Sequence, residues 1–257
     1  MMEKRFVVLL SIFLSACSAV SQSAPTPAEE VVLKPATTPT AISIPTSTEI
    51  PPTISLPPTA DPNFFRDDFV GALDPQWSWI RENPLNWSLT TVPGSLQINV
   101  GSGYVVAHSN SNLLLHPAPA GDFQIETRIA FRPRRNFQFA GLIVYESDLH
   151  FIQAGRGYCQ GADCVGEGLY LNYYEEGVVV KPNFGKAYID HDPILLRLSR
   201  NGNTYTFEAS SDGKVWFMIG SHISEMNPLQ IGLMAGQKIK GNSRPAIFDY
   251  FEVRGLP

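Results

Sequence analysis

Gly121-Asp122-Phe123-Gln124-Ile125-Glu126-Thr127-Arg128-Ile129-Ala130-Phe131 sets apolar against mostly polar residues at every second position. A period of two fits a strand whose side chains point alternately to opposite faces, and it predicts Phe123, Ile125, Ile129 and Phe131 on a core. Gly168-Leu169-Tyr170-Leu171-Asn172-Tyr173-Tyr174 alternates as well. Leu169, Leu171 and Tyr173 share one face there, and Tyr170, Asn172 and Tyr174 the other. Further strand candidates are 64–70, 85–90, 94–100, 137–146, 149–156, 194–200, 203–209, 214–219, 229–236 and 245–254. Asn201-Gly202 predicts a tight type I′ hairpin, and Asp212-Gly213 joins the next pair in the same way. One short helical turn is expected near Ser224–Asn227. Strands of this length, with glycine-rich turns and no long helical period, predict an all-β sandwich of two antiparallel sheets.

The sandwich accounts for only part of the 257 residues. The first 62 lack glycine, and their two aromatic residues, Phe6 and Phe13, lie near the start. The folded domain is therefore expected over 63–257, a length that supports a substantial core. The formal charge of −5 argues against a nucleic-acid binder that relies on a basic surface. No apolar run reaches the roughly 18–20 residues of a membrane-spanning helix. Three cysteines are too few for a disulfide-dense scaffold or a four-cysteine zinc site.

Residues 1–16 have the layout of a signal peptide: Lys4 and Arg5, then an apolar run from Phe6 to Leu14, then small residues. Leu14-Ser15-Ala16-Cys17 resembles the lipobox of bacterial lipoproteins. That resemblance implies cleavage before Cys17, acylation of its sulfur, and an exported protein lipid-anchored to the bacterial cell membrane, facing outside the cytoplasm. The alternative is an ordinary cleaved signal with an incidental cysteine. Residues 17–62 are rich in proline and threonine, which blocks helix and sheet and offers nothing to offset ordering entropy. They predict an extended tether. At ~3.1 Å per residue, the stretch after Cys17 reaches at most ~140 Å.

Several segments of the folded part together resemble one family. They include Phe65-Arg66-Asp67-Asp68-Phe69, Leu73-Asp74-Pro75-Gln76-Trp77-Ser78-Trp79, Trp87-Ser88-Leu89, Pro93-Gly94-Ser95-Leu96, Phe137-Gln138-Phe139-Ala140-Gly141-Leu142, Leu196-Arg197-Leu198, Ile231-Gly232-Leu233 and Phe248-Asp249-Tyr250-Phe251. Their order is similar to that of the concanavalin-A-like β-sandwich at the C-terminus of family 43 glycoside hydrolases of the β-xylosidase type. The resemblance implies a jelly-roll sandwich with a concave sheet. It does not imply catalysis, because a separate propeller carries the catalytic carboxylates in those enzymes.

The residues themselves offer little hydrolytic chemistry. No strand carries the E-x-D-x-x-E carboxylates of glucanases on this fold. Glu146-Ser147-Asp148 starts in that way but lacks a second glutamate, and Asp249 and Glu252 fall on opposite strand faces. There is no G-x-S-x-G elbow and no H-E-x-x-H. Asp190-His191-Asp192 reads as a solvated turn rather than a metal cluster. Sugar binding is the better expectation, since flat aromatic faces stack on C–H surfaces while amides and charges read hydroxyls. The candidate residues are Trp79, Tyr145, Gln153, Arg156, Tyr170, Asn172 and Tyr174, with an extracellular polysaccharide or oligosaccharide as partner. An adhesion module for a cell-envelope protein is the alternative, and a glycoside hydrolase a third reading. Related sandwiches often hold a structural calcium ion near paired terminal strands, for which Asp68 and Asp249 are the candidate ligands. Pairing of these acids with Arg66 or Arg254, or turn capping, competes with that. With Cys17 lipidated, Cys159 and Cys164 are left to form a loop disulfide, either a rigid groove rim or simple stabilisation.

Overall fold

Phe123–Ala130 is a strand, and its odd-numbered side chains Phe123, Ile125 and Ile129 are fully buried, as is Phe131 beyond it. Thr127 occupies the same face, fully buried. Its hydroxyl donates to the Tyr250 carbonyl at 2.6 Å, where the neighbouring strand Pro245–Gly255 shifts register between Phe248 and Tyr250. A polar side chain is thus tolerated in the core because it satisfies a backbone acceptor there.

This computed structural model describes residues 64–257 other than 104, 110, 111, 163, 181, 239, 240 and 242. The expected signal peptide, Cys17 and the proline-rich tether lie outside the described residues. Phe123–Ala130 sits inside an eight-stranded sheet ordered Phe217–Ile223, Thr204–Ser210, Ile194–Asn201, Phe123–Ala130, Pro245–Gly255, Leu96–Asn99 and Trp87–Ser88. Phe64–Asp67 adds to it by pairing antiparallel with Pro245–Gly255, so the first and last strands are neighbours. A nine-stranded sheet runs Val178–Val179, Gly166–Glu175, Phe151–Cys159, Gln138–Tyr145, Gln230–Gln237, Leu113–Pro117 and Ser78–Ile80. Asn183–Gly185 and Gly101–Ser102 pair with it at two further points, the latter in parallel. No α-helix occurs among the described residues, only two 3₁₀ turns at Pro84–Asn86 and Val105–Ala107.

One core lies between the sheets. It joins Ile125, Ile129, Leu196, Leu198 and Phe248 of the first sheet to Leu142, Val144, Ile152, Ala154, Leu169 and Leu171 of the second. A second apolar cluster covers the outer face of the nine-stranded sheet, where Leu113, Leu115, Phe139, Phe151, Tyr170, Tyr174 and Met234 meet Val105. Val179 and Phe184 pack on it from the chain after Glu175. The outer face is therefore largely roofed by the protein itself. The expected open concave sheet is replaced by a covered face with a pocket in it.

Three local expectations change. Asn201 pairs directly with Thr204, so the two-residue turn is Gly202-Asn203. Only Gly202 takes a positive φ, at 55°, which is the pattern of a II′ turn rather than I′. After Ser210 the chain needs a longer loop before Phe217, because the Ser210 hydroxyl accepts from Gly213 N and the Asp212 carboxylate from Lys214 N and Val215 N. No helical turn forms at Ser224–Asn227. Pro228 disfavours the helical region for Asn227, and the Ser224 hydroxyl instead accepts from Met226 N at 3.0 Å.

Candidate functional site

Gly166–Glu175 and Phe151–Cys159 pair so that Asn172 stands directly opposite Gln153, Tyr170 opposite Gly155, and Tyr174 opposite Phe151. Period two puts Gln153, Asn172, Tyr170 and Tyr174 together on the outer face. They line a pocket of about 230 Å³, walled by Val105 on one side, Val179 and Phe184 on another, and Cys159 and Cys164 on a third. The floor is deepened where Gly157, Phe139 and Gly236 stand in one cross-strand row, two of the three without a side chain. A Cβ on Gly157 would meet the Phe139 ring at 3.1 Å, so a larger residue would crowd that floor.

The polar chemistry of the pocket is carried by amides. Gln138 and Gln237 are in register and satisfy each other, with Gln138 Nε2 donating to Gln237 Oε1 at 3.1 Å. Gln138 Oε1 also accepts from Arg134 N and Arg135 N, and Gln237 Nε2 donates to the Gly241 carbonyl. Gln153, only 6% exposed, has no hydrogen-bond partner among the described residues, nor does the half-buried Asn172 beside it. Neither amide is cut off from solvent: His116 Nε2 is the one fully buried side-chain nitrogen or oxygen without a partner among the described residues, so the Gln153 and Asn172 amides face the pocket space open to a ligand or water. Lys238 is the one charged residue lining the pocket among the described residues, its ammonium 5.3 Å from the centre of the Phe137 ring. Phe137 is 41% exposed and stands at the mouth.

The structure brings Gln153, Tyr170, Asn172 and Tyr174 together but changes the part the tyrosines play. Tyr174 is 3% exposed and stacks on Phe151 with centroids 4.3 Å apart. Tyr170 is 5% exposed, packs against Phe184 and donates its hydroxyl to the Gly166 carbonyl at 2.6 Å. Burial pushes its phenol above the usual value. They are walls, not open stacking platforms.

Tyr145, Arg156 and Trp79 are not pocket residues. Tyr145 is buried and donates to Asp148 Oδ1 at 3.1 Å; burial, helped by the Asp148 charge, pushes its phenol up to about 12. Burial disfavours the charged form of Asp148, but Arg81 and His108 outweigh it and hold that carboxyl below its usual range. Arg156 has the same parity as Ile152 and Ala154 and points inward, with a side chain 0% exposed. It donates to Glu167 Oε1 at 2.7 and 3.2 Å, to the His191 carbonyl at 2.7 Å, and to the Ile189 carbonyl. The Asp190-His191-Asp192 turn thus supplies arginine partners: Asp192 also accepts from Arg132 Nε at 3.0 Å. Trp79 lies on the short strand Ser78–Ile80, packed on the inner core, its ring 5.0 Å from that of Trp87.

Cys159 and Cys164 are joined by a disulfide, Cα–Cα 5.6 Å, and both face the pocket. Asp68 is paired with Arg66 at 2.6 Å, and Asp249 with Arg128. Calcium needs six to eight oxygens. With each carboxylate already neutralised by a guanidinium, and no cluster of three or more candidate ligands among the described residues, this donor set does not fit the ion. The buried neighbour Asp67 has a structural task, accepting from Phe69 N, Asp74 N and Trp77 Nε1.

Sequence reasoning missed Phe137, Gln138, Gln237 and Lys238. Gln138 interrupts an apolar run and Gln237 closes one, a signal in the sequence; Phe137 carries none beyond its place at a strand start. A second hollow, of about 750 Å³, is lined by Glu146, Glu175 and Glu225 with His150 and His222.

Comparison with known proteins bears on this geometry. Residues 66–254 match the family described as "Beta xylosidase C-terminal Concanavalin A-like domain". The chain is 25% identical over 209 residues to a xylan 1,3-beta-xylosidase of Vibrio sp., covering 73% of this chain and 37% of that enzyme. It is 25% identical over 207 residues to the non-reducing end alpha-L-arabinofuranosidase BoGH43B of Bacteroides ovatus, covering 74% and 37%. It thus spans little more than a third of the length of these relatives. Among solved structures, the GH43 BlXynB protein from Bacillus licheniformis superposes with a TM-score of 0.67 at 20% identity, over 76% of this chain and 40% of that one. The Bacillus licheniformis beta-glucanase superposes with a TM-score of 0.52 at 11% identity, over 76% and 99%. At such identities the superpositions show the fold alone.

Proposed function

We propose that this chain, which belongs to the family of β-xylosidase C-terminal concanavalin A-like domains, is a non-catalytic carbohydrate-binding protein presented outside the cell on a lipid anchor. One observation carries the binding reading: Gln153 and Asn172 stand side by side in a formed pocket with their amides unpartnered by protein. Binding sites of this kind are apolar enclosures with a few convergent polar groups. Hydroxyls are good partners for amides because each both donates and accepts. The anchor rests on Cys17 and the residues before it, and the tether on 18–62.

The absence of chemistry at the pocket supports binding over catalysis. Glycoside hydrolysis uses two carboxyl groups flanking the bond, and no Asp or Glu lines this pocket among the described residues. A hydrolase reading has to use the glutamates of the second hollow instead. Affinity electrophoresis of the full chain in xylan, arabinan and β-1,3-glucan gels tests the proposal. Retention without release of reducing sugar is expected. No retention on any of the three overturns the binding reading, and release abolished by Glu175→Gln overturns the non-catalytic one. Cys17→Ser moves the protein from the membrane to the soluble fraction if the anchor is as proposed.

The adhesion alternative has its own observation. Val215, Phe217, Met218 and Ile223, on or beside the edge strand Phe217–Ile223, are each more than half exposed. Retention on a glycan that survives Phe217→Ser separates the two readings.

A further inference from the structure

We infer that the pocket takes the end of a glycan chain, reading two neighbouring hydroxyls of the terminal sugar with Gln153 and Asn172 while Phe137 stacks on the next sugar inward. This rests on the carbohydrate-binding reading and goes further, to the part of the glycan recognised. Gln153 and Asn172 are a direct cross-strand pair, which places their Cβ atoms about 5 Å apart. Two amides so placed converge on adjacent hydroxyls. Together they present four N–H donors and two carbonyls, enough for two hydroxyls each acting in both senses. The match is to a neutral diol, since no carboxylate lines the pocket among the described residues and Lys238 is held over the Phe137 ring at its mouth.

The walls make the end-on geometry. A polysaccharide bound along its length needs a cleft open at both ends. Here Val105 closes one side, Val179 and Phe184 another, and the disulfide-bonded loop of Cys159 and Cys164 a third. Tyr170 and Tyr174 supply no open stacking face, because they are 5% and 3% exposed and Tyr174 already stacks on Phe151. Among the described residues, Phe137 is the aromatic residue lining this pocket with the largest exposure, 41%, and it stands at the mouth rather than on the floor. A second sugar leaving the pocket meets it.

Titration calorimetry of the full chain with xylose, xylotriose and xylan, and with arabinose, arabinotriose and arabinan, tests this. For the preferred series, affinity expressed per chain end is expected to be equal for trisaccharide and polymer. Gln153→Met and Asn172→Leu, which keep volume but remove the amide, should each weaken binding about tenfold, the worth of one to two hydrogen bonds. Phe137→Ala should weaken the trisaccharide several-fold and leave the monosaccharide unchanged. Affinity per chain end that rises with polymer length means mid-chain binding; it overturns the end-on inference and leaves the carbohydrate-binding reading standing. Binding unchanged in Gln153→Met and Asn172→Leu, with both variants melting as the parent does, also overturns it. No heat with any of the six ligands, together with no retention on the β-1,3-glucan gel, overturns the carbohydrate-binding reading itself.

Discussion

Replacing Arg156 by alanine should destabilise the domain and leave sugar binding alone. The guanidinium is fully buried and makes four hydrogen bonds, two to Glu167 and one each to the carbonyls of Ile189 and His191. Truncating one partner of a buried ionic contact typically costs ~3–5 kcal/mol, mostly for the groups left behind. Glu167 retains 31% of its side-chain exposure and can recover water, which trims the loss. The two carbonyls, on a turn whose residues are partly exposed, recover some as well. About 3 kcal/mol remains. For a domain of this size, each kcal/mol lowers the melting temperature by about 2–4 °C, so the expected fall is about 6–12 °C. Arg156→Lys should fall between, since one ammonium cannot span three separated acceptors. Differential scanning calorimetry measures the shift, and calorimetric titration below the melting range measures binding. A variant that melts within 2 °C of the parent while losing sugar affinity would return Arg156 to the binding site and refute the structural assignment.

The opposite pattern is expected at Gln153. Its amide has no protein partner to abandon, so Gln153→Met should change stability by less than about 1 kcal/mol in urea unfolding while binding falls; a large loss of stability with binding intact would contradict this. Changing Cys159 and Cys164 together to serine opens a loop of sequence separation 5, worth about 2 kcal/mol in chain entropy. Unfolding of the parent should then depend on reductant and that of the variant should not; equal midpoints under all four conditions would speak against a stabilising bridge. His116 predicts a pH dependence. Its Nδ1 lies 2.7 Å from the Pro117 carbonyl and therefore carries the proton, while Nε2 is buried beside Phe65 and Trp77 without a partner among the described residues. Burial is the main cause holding its pKa below the usual 6.5, against the Pro117 bond and the Asp74 charge. As pH falls, the unfolded chain takes this proton first. The stability from the neutral ring is thus complete above pH 6.5 and is lost below it, at no more than about 1.4 kcal/mol per pH unit. Urea melts between pH 7.5 and 5.5 should show this slope in the parent and a shallower one in His116→Phe; identical slopes would remove His116 as the cause.

How far the sequence could be read depends on how many faces of a strand are covered. Phe123–Ala130 has one buried and one wetter face, so its alternation is plain and every core residue expected there is buried. Leu113–Pro117 escaped notice for the reverse reason. Leu114 packs between the sheets and Leu113 and Leu115 under the outer roof, so both faces are apolar and no period appears. Of the roof, Val105 comes from another part of the chain, while Val179 and Phe184 reach this face on short strands that fold back beside Gly166–Glu175. Nothing local signals such a contact, which is why an open groove was expected where a pocket stands. Arg156 is a different case. Two residues past Ala154, its parity already pointed inward; ending the strand at 156 hid this, because the strand continues to Cys159 and keeps its period.

The amides that remain give the site its strongest physical argument. The core tolerates polar groups where they find partners. Thr127 serves a carbonyl at a register shift, Asp67 collects three donors, and Gln138 and Gln237 tie each other down. Against that pattern, Gln153 and Asn172 turn several donors and acceptors toward the pocket, with no protein group among the described residues to meet them. A Leu or Val at either position would extend the apolar cluster around Tyr170, Phe151 and Met234 without losing a hydrogen bond to protein. Stability alone therefore gives no reason for amides here. A ligand whose hydroxyls complete them does, because a site built from amides that hydrogen-bond a sugar's hydroxyls discriminates against a ligand that lacks them.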